Sequence, residues 1–155
     1  MIARLVASIA LTAGLVVGLA STSQANTLFP APAGVYAKVS LSHQTIDVVV
    51  NHGDGKQDKY SWPVSTGRKG YETPPGQFRP DYLSADHRSK KYDDAPMPFA
   101  VFFNDGIAVH GTTEVKRLGK PASHGCVRLD KANAEVFFNA VASVGMARTA
   151  IIVEQ

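Results

Sequence analysis

Cys126 is the only cysteine in the 155-residue chain, and it stands in the run Ser123-His124-Gly125-Cys126-Val127-Arg128. A thiol attacks a carbonyl as its thiolate, and with an ordinary pKa near ~8.5 most of it is protonated at neutral pH. A neighbouring imidazole can take that proton and remain as a cation beside the sulfur. The chain offers His43, His52, His87, His110 and His124. His124 lies two residues from the cysteine, so an extended segment would put both side chains on one face. A tight turn at Gly125 would break that rule. His110 closes the run "IAVHG" and can meet the sulfur only through the fold. A strand there would hold it rigidly, as a general base requires, and His110 is the favoured candidate.

The neighbours have roles of their own. Gly125 can adopt a positive φ and bring backbone N–H groups close to a reacting carbonyl. The N–H groups of Gly125 and Cys126 could hold the oxyanion of a tetrahedral intermediate, each such donor being worth about 3 kcal/mol. The plainer reading of Gly125 is an ordinary turn glycine. Arg128 could clamp a substrate carboxylate through bidentate pairing, or brace its loop by bonding backbone carbonyls; both readings stay open. Ser123 reads first as a local hydrogen-bonding residue and second as a catalytic one.

Other chemistries fit less well. Cysteine peptidases of the papain type place histidine after cysteine, and no histidine follows Cys126. Sortases run histidine, cysteine, arginine, but with a much longer gap and a different local motif. Zinc on His110, His124 and Cys126 would have three ligands plus water. No paired-histidine helix motif supports it, and no metal is expected. There is no phosphate loop or dinucleotide fingerprint, so no cofactor is expected either.

The elements that must position these residues read mostly as β. "VYAKVSLS" and "TIDVVV" are rich in β-branched residues, and "NHGDGKQD" is a turn signal. "KYSWPVSTG" reads as a strand, with Pro63 pointing to an edge or bulge. A short strand is expected near Gly76 to Arg79. The polar stretch from Tyr82 to Ala95 reads as a long functional loop. "MPFAVFF", Asn104-Asp105-Gly106 and "IAVHG" form a predicted hairpin. One helix follows, capped by Asp130 and stopped by Gly145. Its expected apolar face is Leu129, Ala132, Val136, Phe137, Ala140, Val141 and Val144. "RTAIIVEQ" reads as a closing strand. The expected fold is a mostly β domain with one packed helix near the C-terminus.

Residues 1–25 read as a cleaved secretory signal: Arg4, then an apolar run, then Ser23-Gln24-Ala25 as a cutting site. Residues 26–34 are a Pro- and Ala-rich lead-in, and 35–155 the domain. The expected location is outside the cytoplasm, in the periplasm and against the cell wall. Exported proteins usually pair their cysteines, and a single one cannot pair internally; it is either a buried small hydrophobe or a reactive group, and the residues around Cys126 favour chemistry. The net charge of +3 includes no long basic run, so no nucleic-acid partner is expected.

These residues resemble the L,D-transpeptidase family, the YkuD-type catalytic domain of bacterial cell-wall enzymes. The family's histidine-glycine, spacer and Ser/Thr-His-Gly-Cys-x-Arg signature is matched by "HGTTEVKRLGKPASHGCVRL", and "PVSTGRKGYETPPGQF" is similar to its upstream segment. The resemblance covers about Val35 to the end of the sequence. It implies Cys126 as nucleophile and His110 as base, with Gly125, His124 and Ser123 around the oxyanion hole and pocket. Arg128, Gly111 and Tyr92 would contact substrate, and the stretch 82–95 would be a lid over the active-site groove. It also implies a peptidoglycan tetrapeptide stem as donor, with a thioester formed as the terminal D-alanine leaves. The acceptor would be an amine of a neighbouring stem, a lysine of an outer-membrane protein, or water. Penem-type β-lactams would acylate Cys126.

Overall fold

The computed structural model describes residues 32–155. The expected export segment, 1–25, lies outside the described residues, as does most of the lead-in. Strands β1 (Gly34–Ser40), β2 (Thr45–Asn51) and β3 (Gln57–Pro63) come first, then β4 (Gly76–Phe78), β5 (Tyr82–Ser89), β6 (Ala95–Asn104) and β7 (Ile107–Thr112). β8 (Val127–Asp130), helix α1 (Lys131–Val144) and β9 (Thr149–Glu154) complete the order.

Two sheets form. The first runs β3-β2-β1-β9-β4, the second β5-β6-β7-β8. In β1, Val35, Ala37 and Val39 are buried while Tyr36 and Lys38 are exposed, the period-two pattern of a strand with one face on the core. The antiparallel register Val35↔Val50, Ala37↔Val48 and Val39↔Ile46 continues that face into β2. The parallel register of β1 with β9 extends it to Ile151 and Val153. Pro63 ends the edge strand β3, where its missing N–H costs no ladder bond.

The second sheet has two distinct faces. Val101, Phe103, Val109, Val127 and Leu129 join the main core with Phe137 and Val141 of the helix. The alternate residues Ala100, Phe102 and Ala108 form a second cluster with Met97, and Cys126 packs against it. From Ala100 onward the pleat therefore sorts odd-numbered residues of β6 and β7 inward and even-numbered ones to the outer face, while before the positive φ of Phe99 (55°) the odd-numbered Met97 lies on the outer face. The β6–β7 hairpin turns at Asp105 and Gly106, whose φ values of 43° and 82° are those of the primed turn expected from Asp-Gly.

Three expectations need correction. The stretch from Tyr82 is no loop: β5 pairs along β6 from Tyr82↔Phe102 to Ser89↔Ala95, interrupted at Ala85 opposite Phe99, whose φ is 55°. Its side chains alternate poorly because neither face is deeply buried, so backbone hydrogen bonds rather than apolar burial make the strand. Among the described residues no separate lid loop is seen. In α1 the buried stripe is Ala134, Phe137 and Val141, while Ala132 and Val136 are exposed. Apolar residues lie on two flanks of this helix, and docking on β6 and β7 selects one of them. The Asp130 cap and the Gly145 stop are as expected: Asp130 Oδ1 accepts from the Ala132 N–H at 2.9 Å, and Gly145 has φ 97°.

Candidate active site

β7 and β8 are parallel neighbours in the register Val109↔Val127 and His110↔Arg128. Val109 and Val127 point into the core, so His110 and Arg128 face outward, with Cys126 just ahead of β8 beside Ala108. His110, His124, Cys126, Ser123, Arg128 and Tyr92 line one cavity of about 300 Å³. Six of the eight expected site residues are thus brought together.

His110 is buried, and its Nδ1 lies 2.8 Å from the Gly111 carbonyl oxygen. A carbonyl only accepts, so Nδ1 carries the proton and Nε2 presents its lone pair. Burial first, then the charges of Arg128 and His87, lower the imidazole pKa from 6.5 to about 4, although the Gly111 contact favours the cation. The thiol moves the other way. Burial pushes Cys126 above its ordinary value, with the Ala108 N–H and Arg128 pulling partly back. Both shifts favour the neutral forms of sulfur and imidazole at rest. The sulfur's closest hydrogen-bond acceptor is the Gly106 carbonyl, at 4.0 Å.

The loop ahead of the cysteine is braced from several sides. Gly125 has the expected positive φ, 116°. Ser123 Oγ donates to the Cys126 carbonyl at 2.6 Å and accepts from the Gly125 N–H at 3.1 Å. That N–H is therefore engaged within the loop. The local hydrogen-bonding reading of Ser123 is the one that matches. Thr73, fully buried, donates to the Gly125 carbonyl at 2.7 Å and accepts from the Gly67 N–H at 2.9 Å. Gly67 has no room for a side chain, since a Cβ there would collide with the Tyr71 carbonyl. The upstream segment is thus the cradle of the cysteine loop.

His124 points to the rim. Its Nε2 lies 2.7 Å from Arg68 Nη2, a donor, so the lone pair is occupied. Tyr92 stacks on the ring at 4.5 Å, and Tyr71 meets it edge-on at 4.7 Å. Loss of solvent first, then the charges of Arg68, Arg128 and Lys91, hold its pKa below the ordinary value. Gly111 does not line the cavity. It packs against Lys131 and Pro98, and its carbonyl holds the His110 ring. Among the described residues the Arg128 side chain bonds no backbone carbonyl: Nη1 donates to Glu114 Oε2 at 2.8 Å.

The YkuD family, described as the L,D-transpeptidase catalytic domain, matches residues 34–153. The chain belongs to this family. An L,D-transpeptidase from Stackebrandtia nassauensis is 30% identical, with a TM-score of 0.66 over 86% of this chain and 62% of that one. An L,D-transpeptidase from Mycobacterium tuberculosis H37Rv is 24% identical, with a TM-score of 0.68 over 79% of this chain and 58% of that one. L,D-transpeptidase 3 from Mycobacterium tuberculosis, in complex with a faropenem-derived adduct, is 24% identical, with a TM-score of 0.66 over 79% and 61%. The chain thus spans about three fifths of the length of these solved structures. No curated protein matches the chain.

The L,D-transpeptidase signature located the cysteine loop and its histidine. Sequence reasoning missed Glu114, Arg68 and Tyr71. Arg68 and Tyr71 lie inside the matched upstream segment, so that segment was the available signal for them. Glu114 had none.

Proposed function

We propose that this L,D-transpeptidase domain is a cysteine acyltransferase acting on peptidoglycan tetrapeptide stems. One observation carries the reading: Cys126 and His110 open into the same cavity, and the imidazole is tied through Nδ1 so that Nε2 remains the acceptor. Because thiol and imidazole are both neutral at rest, proton transfer accompanies attack. Nε2 takes the S–H proton while sulfur bonds to the carbonyl carbon of the third residue. The tetrahedral intermediate collapses, the bond to the terminal D-alanine breaks, and the proton on His110 passes to the leaving amine. A thioester remains on Cys126. An acceptor amine then attacks it, giving up its proton to Nε2, and the thiol is restored with a new amide bond.

The acceptor amine belongs to a neighbouring stem, which gives a crosslink between third residues, or to a lysine of an outer-membrane protein. Penem-type β-lactams would acylate the same sulfur, a reading supported by the faropenem-derived adduct of the mycobacterial relative. Export to the periplasm, read from residues 1–25, would place the enzyme with its substrate. The turn joining β5 to β6, which carries Tyr92, would cover the bound stem. Incubation with purified sacculi, followed by muropeptide profiling, tests the proposal. New dimers linked through third residues are expected. Tripeptides alone would make the protein a hydrolase on the same scaffold. Unchanged sacculi, together with a thiol inert to penems, would leave a wall-binding domain.

A further inference from the structure

The turn that joins β1 to β2 holds a buried polar residue that the chemistry above does not use. Gln44 has φ 54°, a left-handed conformation that glycine and asparagine adopt more readily than glutamine. An outlier of this kind persists where its surroundings require it. The requirement here lies in the carboxamide. Nε2 donates to the Leu41 carbonyl at 2.8 Å and to Thr66 Oγ1 at 2.6 Å, while Oε1 accepts from the Thr66 N–H at 3.0 Å. The Gln44 main-chain carbonyl accepts from the Val64 N–H at 2.8 Å. A carboxamide offers donors and an acceptor side by side, so one side chain grips both the main chain and the hydroxyl of Thr66.

Thr66 passes the grip on. Its carbonyl accepts from the Ala122 and Ser123 N–H groups, each at 2.9 Å. Ser123 Oγ in turn donates to the Cys126 carbonyl at 2.6 Å. A continuous run of hydrogen bonds thus leads from the first sheet to the nucleophile. His110 is carried separately, on β7 of the second sheet. The approach of sulfur to Nε2 therefore depends on where Thr66 holds the cysteine loop, and Gln44 fixes Thr66. Gln44 itself does not line the cavity, so it acts through its neighbours. We propose that Gln44 is a positioning residue for acyl transfer: its clamp on Thr66 holds Ser123, and through it Cys126, in place against His110. This rests on the acyltransferase reading above.

The experiment follows acylation of Cys126 by faropenem, read by intact mass well below the melting temperature of each variant. Gln44→Met keeps the length of the side chain and loses the clamp. It should slow acylation about 10- to 10²-fold, the cost of a small misplacement of reacting groups. Gln44→Asn suits the backbone better but falls one methylene short of Thr66, and should be slowed as well. Gln44→Glu supplies the rescue. Burial keeps its carboxyl protonated, and a protonated carboxyl offers a donor and an acceptor as the carboxamide does, so at about pH 5 its rate should come within about threefold of wild type. A second measurement needs no acyl transfer: alkylation of Cys126 by iodoacetamide. Gln44→Met should slow it when His110 is present and change it less than about twofold in a His110→Ala background, whereas a general loosening of the fold would act equally in both. Wild-type acylation in Gln44→Met or Gln44→Asn would overturn the proposal. So would a Gln44→Glu protein as slow as Gln44→Met at about pH 5, or equal slowing of alkylation with and without His110. Wild-type protein inert to faropenem, with the alkylation coupling intact, would overturn the acyltransferase reading and leave the positioning role standing.

Discussion

Two histidines border the same cavity and occupy opposite environments. His110 is set in the outer face of the second sheet, buried, with one ring nitrogen tied to Gly111. His124 stands on the rim, exposed, between Tyr92 and Tyr71, with its Nε2 receiving the Arg68 guanidinium. His124 is the nearer to Cys126 in sequence, yet its lone pair is already used. The more distant histidine keeps its acceptor nitrogen open because a strand fixes the ring and a carbonyl fixes the tautomer. Proximity along the chain is thus a poor guide to a base; the hydrogen bond on the other nitrogen decides.

The sharpest way to break this contrast is to remove each ring in turn. His110→Ala should slow penem acylation of Cys126, followed by intact mass, by about 10²- to 10⁴-fold, the usual worth of a positioned base. His124→Ala should slow it less than about tenfold. A reversed order would transfer the base role to the rim.

The second test uses pH. His110 binds a proton only below about 4 in the folded protein, against 6.5 for the free group. Acylation should therefore stay level as pH falls from 7 to 5 and halve near 4. Between 6.5 and about 4 the unfolded chain takes up the proton that the folded one refuses, so stability falls as pH falls through that window. The loss should reach about 3 kcal/mol, at about 1.4 kcal/mol per pH unit. Urea titrations of wild type and His110→Gln across that range measure it, and an identical pH slope in both would count against the assignment.

Smaller again is Thr73→Val. It keeps the shape of the buried side chain but strands the Gly125 carbonyl and the Gly67 N–H, at a cost of about 1–3 kcal/mol in urea unfolding. Unchanged stability would mean that the cysteine loop needs no support from the upstream segment. Smallest is Tyr92→Ala on the rim. Loss of one aromatic stack should cost about 0.5–1.5 kcal/mol, seen as a raised KM for a stem peptide rather than a lower melting temperature. A large fall in melting temperature would give the rim a structural role.

The cysteine loop and the buried histidine were legible in the sequence because both depend on local pattern: the glycine before the sulfur, and the alternation of "IAVHG". The β6–β7 hairpin was legible for the same reason, since Asp105 and Gly106 both accept positive φ. β5 was hidden because Tyr82 to Ser89 buries too little to alternate, and its order comes from pairing with β6. The helix face was misplaced at Val136 because only the docking partner distinguishes two apolar flanks. Glu114 and the engaged Gly125 N–H were hidden because each depends on a contact made across the fold or within a single turn. The neutral resting pair was hidden too, since burial, not residue type, sets both protonation states.

The parallel pairing of β1 with β9 has a mechanical consequence. Tension applied before Gly34 and after Glu154 would draw these two neighbours past one another along their length. The hydrogen bonds from Val35–Thr149 to Ser40–Glu154 would then share the load together instead of opening one by one. A domain clamped in this way resists stretching, and the catalytic face, borne on the other sheet, lies off the line of pull.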